Sequence, residues 1–71
     1  METKIVKQNS ELGQLGLSAL VHKGFAGPNY SLDDLDISVT KNLDSLEISF
    51  YDMSCTLNSK DKNYNEILRY F

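Results

Sequence analysis

Leu35, Ile37 and Val39 alternate with Asp36, Ser38 and Thr40, the period-two pattern of a strand with one face buried. Lys41-Asn42-Leu43-Asp44-Ser45 follows with turn composition, since Asn, Asp and Ser side chains hydrogen-bond their own nearby backbone. Leu46, Ile48 and Phe50 then resume the alternation, and Met53, Cys55 and Leu57 continue it in the opposite phase. One extra residue in a strand flips the phase, so the pattern predicts a β-bulge or sharp bend at Phe50-Tyr51. Together these runs read as an antiparallel hairpin over 35–58.

The flanks are less regular. Ile5 and Val6, set between lysines in Lys4 to Gln8, predict a short edge strand, because flanking charges protect an edge from further pairing. Ser10 to Lys23 admits two readings. As a helix it has Ser10 as N-cap, Glu11 in the first turn, and Leu12, Leu15 and Ala19 on one face. It also has a consistent stop, with Lys23 in the last turn, Gly24 suited to a left-handed conformation, and apolar Phe25 folding back. Gly13 and Gly16 oppose the helix, each costing about 1 kcal/mol relative to Ala in a helix interior. As a strand, Leu15, Leu17, Ala19 and Val21 would share a face. The agreement among the stop signals favours the helix. Near the end of the sequence, Tyr64, Ile67, Leu68 and Phe71 fall at helical spacing, with Asp61 or Asn63 placed to cap. The expected fold class is α+β, a single domain over 1–71. A small antiparallel sheet centred on the 35–58 hairpin is packed by one or two helices at 10–23 and 62–71.

Size narrows what can hold such a fold together. A chain of 71 residues offers one thin core. Cys55 is the only cysteine and His22 the only histidine, which rules out an internal disulfide and a four-ligand Cys/His zinc site. Stability must come from the core, or from a core completed by a partner chain. Met1 is followed by Glu2, Lys4 and Lys7 with no apolar run, and the cysteine is unpaired, so the expected location is cytoplasmic, with no membrane association.

Charge is uneven. The net value is −3, but residues 32–59 set Lys41 against Asp33, Asp34, Asp36, Asp44, Glu47 and Asp52, while both flanks are slightly positive. Direct nucleic-acid binding is disfavoured, because phosphate contacts need a basic face. Asp33, Asp34 and Asp36 do not make a calcium loop: counted from Asp33, the sixth position is Ser38 rather than Gly and the twelfth is Asp44 rather than Glu.

No catalytic residue, metal site or cofactor is expected. His22 has no carboxylate or nucleophile near it in sequence and reads as a residue facing the last carbonyls of its helix. Cys55 shares its side of the strand with Met53 and Leu57 and reads as a small apolar residue. An enzyme built on Cys55 and His22 is the least favoured reading. What remains is a small acidic binding module, with Asp33, Asp34, Asp36, Asp44, Glu47 and Tyr51 as candidate partner-binding residues. Its expected partner is another protein with a basic surface, and inhibitors made by phages and mobile elements often work in this way. The alternative is a subunit of a homo- or hetero-oligomer.

Overall fold

The computed structural model describes residues 1–25 and 35–71. Along the chain come β1 (Glu2–Lys7), α1 (Glu11–His22), β2 (Asp36–Lys41), β3 (Leu46–Phe50), β4 (Met53–Leu57) and α2 (Tyr64–Leu68). The strands form one four-stranded antiparallel sheet in the order β1-β2-β3-β4. This is the expected small α+β fold. Residues 14–23, open to a strand reading, are helical to His22.

Where a β-bulge or sharp bend is expected at Phe50-Tyr51, the chain makes a tight turn and not a bulge. Phe50 pairs with Met53, so Tyr51 and Asp52 alone connect β3 to β4. Residues opposite each other in an antiparallel pair share a face. Across a two-residue loop, opposite residues have opposite parity, as Ile48↔Cys55 and Leu46↔Leu57 do. The phase flip is therefore the mark of a second hairpin. Tyr51 takes φ +57°, where a short hairpin loop ordinarily places Gly or Asn. That absent signature is why the turn reads as a bend.

α1 begins and ends as its sequence suggests. Ser10 Oγ accepts from Gly13 N at 3.0 Å and donates to Lys7 O at 2.6 Å. At the other end Gly24 takes φ +96°, and Phe25 N donates back to Leu20 O at 3.2 Å. The glycines that counted against the helix are what lets it dock. A Cβ on Gly13 would lie 2.1 Å from Lys7 O, and one on Gly16 would lie 2.9 Å from Ile37 Cδ1. The inner face also differs from the expected Leu12, Leu15 and Ala19. Leu12, Leu17, Ala19 and Leu20 are buried with the two glycines, whereas Leu15 is half-buried.

These residues meet Ile37, Val39, Leu46, Ile48, Phe50 and Leu57 of the sheet, and Ile67 of α2 closes the same core. Each fully buried Leu or Ile contributes about 1.5–3 kcal/mol. α2 is shorter than the predicted 62–71, with helical geometry over Tyr64–Leu68 only. Neither expected cap works as one. Asp61 Oδ2 accepts from Asn58 N, and Asn63 Oδ1 is engaged with His22. α2 lies antiparallel to α1, joined at one end by His22–Asn63 and at the other by Tyr70 Oη–H donating to Glu11 at 2.8 Å. Lys4, on the inner side of β1, places Nζ 5.6 Å from the centre of the Phe71 ring.

Candidate interaction surface

The register divides the candidate residues. Asp36 opens β2 opposite Lys7, with Nζ 3.0 Å from its carboxylate. Both side chains are more than half exposed, so the pair contributes about 0–1 kcal/mol. Ser38 pairs with Ser49, and the same register carried two residues further puts Asp36 level with Tyr51, at one end of the sheet. Asp44 lies exposed in the β2–β3 turn at the opposite end. Near it Glu47 points outward from β3, its carboxylate accepting from Asn42 Nδ2 at 3.2 Å. Asp33 and Asp34 lie outside the described residues. The acidic middle of the sequence is thus no single acidic face among the described residues. Short hydroxyl side chains separate its two ends on the uncovered side, among them Ser38, Ser49, Ser54 and Thr56.

Tyr51 stands out at the Asp36 end. It is 69% exposed, with its ring edge-on to Phe50 at 4.6 Å between centroids. Left-handed backbone costs an ordinary residue roughly 1–2 kcal/mol, and an edge-on aromatic pair returns roughly 0.5–1.5 kcal/mol beyond area burial. The two nearly cancel, so folding alone gives weak reason for tyrosine here over glycine or asparagine. Asp52, beside it, is also exposed.

His22 departs from its expected role. Its Nδ1 lies 2.8 Å from Asn63 Oδ1, and Asn63 is only 5% exposed. With the amide oxygen as acceptor, the ring proton sits on Nδ1, and the imidazole ties the end of α1 to the start of α2. Sequence reasoning assigned Asn63 to a helix cap; no local signal links residues so far apart. Cys55 is half-buried on the inner side of β4. Burial pushes its thiol pKa up, with Lys23 opposing and Asp61 adding to the shift. A raised pKa leaves little thiolate at neutral pH, which makes a poor nucleophile.

Among the described residues, no group of three or more His, Cys, Asp or Glu side chains is arranged to hold a metal ion. Nor is any helix among them long and apolar enough to cross a membrane. A shallow open groove runs between α1 and α2, with Leu15 and Val21 on one wall and Arg69 and Tyr70 on the other. Compared with protein-family models, curated proteins and solved structures, the chain matches none.

Proposed function

We propose that this protein is a binding module that acts by occupying a surface on another protein, and that the β3–β4 turn is its contact end. The carrying observation is Tyr51, an exposed tyrosine held at φ +57° in a two-residue turn. A bulky residue in this backbone region is uncommon, and such outliers cluster where a side chain must be presented. Tyrosine suits that task, with a large apolar body, a polar tip and few rotatable bonds to immobilise. Asp52 adds a negative charge at the same end, beside the Lys7–Asp36 pair, which favours a partner with a basic surface. An inhibitor that fills a basic groove, of the kind phages and mobile elements make, is the sharpest form of this reading. It invokes no cofactor and no chemistry on the partner.

The test separates binding from folding. Tyr51→Gly relieves the backbone and loses the ring contact, so stability should stay within about 1 kcal/mol of the parent. Partner capture from native lysate should nevertheless be lost with Tyr51→Gly, and weakened by Asp52→Asn and by added salt. A Tyr51→Gly protein that folds and captures the same partner as well as the parent would refute the assignment. Capture indifferent to salt would remove the groove-filling form alone.

A further inference from the structure

The two edges of the sheet are built differently. β1 carries Glu2, Lys4 and Lys7, and charged side chains of this kind guard an edge against further pairing. β4, at the other edge, reads Met53-Ser54-Cys55-Thr56-Leu57, with no charge and no proline. Its hydrogen-bonding direction follows from the turn. Phe50 and Met53 close a two-residue loop and so form a hydrogen-bonded pair, and the pairs alternate from there. Met53, Cys55 and Leu57 therefore direct their N–H and C=O groups toward β3. Ser54 and Thr56 direct theirs away from it, and no described strand lies beyond.

We propose that β4 pairs antiparallel with β4 of a second copy, about a two-fold axis at Cys55, so that two four-stranded sheets become one continuous sheet. This goes beyond the proposed partner contact and does not depend on it. The register is self-complementary. Ser54 and the partner's Thr56 exchange both backbone hydrogen bonds, the symmetric pair does the same, and Met53 faces the partner's Leu57. Asp52 falls opposite the partner's Asn58, so no like charges are opposed. The same operation on β1 would oppose Lys4 to itself and Glu2 to Val6 if centred on Lys4, and would set Lys4 against Val6 if centred on Ile5, so either register places a charge against a like charge or an apolar residue. A second copy is preferred over an unrelated strand because this edge is neutral along its length and places apolar residues opposite apolar ones on its inner side. The Tyr51 turns then lie at opposite ends of the joined edge, both still open to a partner.

The axis makes a covalent reporter available. Cys55 is hydrogen-bonded toward β3, so it meets the partner's Cys55 as a non-hydrogen-bonded pair, with Cα atoms about 4.5 Å apart. That spacing lies within disulfide range. With diamide as oxidant, the two thiols give one disulfide, and two electrons and two protons pass to the diamide.

Sedimentation equilibrium over a wide concentration range is the primary measurement, and the parent should move from monomer to dimer. Thr56→Pro should stay monomeric yet folded, because it removes an N–H that points to the free edge, where proline is tolerated. Ser54→Lys with Thr56→Lys should also abolish dimerisation by opposing like charges. Ser54→Lys with Thr56→Glu should restore it, since the two new side chains face each other across the axis. Diamide should trap a Cys55-linked dimer under dimerising conditions, while Cys55→Ser still dimerises without it. A parent that is monomeric throughout overturns the proposal and leaves the edge to some other strand. A dimer that ignores Thr56→Pro, or that diamide fails to trap, overturns the surface or the register.

Discussion

Among the described residues, one face of this sheet is filled and the other is bare, and the same strands supply both. On the filled side Ile37, Val39, Leu46, Ile48, Phe50 and Leu57 are buried under the helices. On the bare side the alternate positions carry Ile5, Ser38, Thr40, Glu47, Ser49, Ser54 and Thr56, all exposed or half-buried. Filled positions are dictated by what lies opposite, so even a missing side chain has meaning there. Bare positions answer mainly to backbone preference and solubility, which leaves the turns and edges as the places where surface chemistry is specific. If that division is correct, the cost of a substitution should track the face it points to rather than the residue type.

The sharpest check comes from two glycines on one helix. Replacing either with Ala gains about 1 kcal/mol of helix propensity. At Gly13 the new methyl meets Lys7 O at 2.1 Å and Gln8 backbone atoms at 2.9 Å, which can yield only if the start of α1 lifts off β1. Gly13→Ala should therefore be net destabilising by about 3 kcal/mol or more in urea unfolding. At Gly16 the obstacle is Ile37 Cδ1 at 2.9 Å, the end of a side chain that can rotate. Gly16→Ala should fall within about 1 kcal/mol of the parent. Equal effects at the two sites would mean that docking of α1 is not set by backbone contact.

Next in size is Asn63, the buried polar residue that joins the helices over the filled face. Asn63→Ala should cost about 1–3 kcal/mol, because it opens a space and leaves the His22 ring without its acceptor. His22→Ala should cost less, since the imidazole is exposed and Asn63 regains access to water. The reverse order in thermal or urea unfolding would show that the imidazole, not the amide, carries the link.

The contrast between the faces also explains what sequence alone could disclose. The strands of the bare and filled faces were legible because alternation is a local property, and the stop at Lys23, Gly24 and Phe25 because three independent signals agree. Gly13 and Gly16 read as liabilities because their justification lies in Lys7 and Ile37, which only the fold brings near. The β3–β4 turn was half-legible. The parity flip was visible, but Tyr51-Asp52 lacks the glycine or asparagine that separates a tight turn from a bulge. Among the candidate contact residues, the acidic run looked continuous, and the register then set Asp36 and Tyr51 apart from Asp44 and Glu47.

At the border of the filled face, Lys23 Nζ lies 2.8 Å from the Asp61 carboxylate, which also accepts from Asn58 N. The lysine hydrogen bond, then the backbone one, holds the Asp61 pKa below its ordinary value. A carboxylate whose folded pKa is depressed stabilises the fold above its unfolded pKa and loses that contribution as pH falls through the folded value. The parent should therefore lose more stability than Asp61→Asn between neutral and acid pH, and the two should converge in strong acid. Tyr70 works in the opposite window. Its hydrogen bond to Glu11 raises its pKa, so that contribution is complete below the ordinary tyrosine range and is lost as pH climbs through the raised value. Tyr70→Phe should flatten the alkaline limb alone.

The smallest expected effect lies on the bare face. Ser49 sits on β3 between Ser38 and Ser54, outward and exposed, with Ile48 and Phe50 buried on either side of it in the chain. Ser49→Thr adds a β-branched side chain that suits a strand and still offers a hydroxyl to its neighbours. Its unfolding midpoint should shift by the equivalent of no more than about 0.5 kcal/mol, in the stabilising direction. The same added methyl on Gly13, on the other side of the sheet, is expected to cost several times that. A loss at Ser49 comparable to the Gly13 effect would mean that something covers this face.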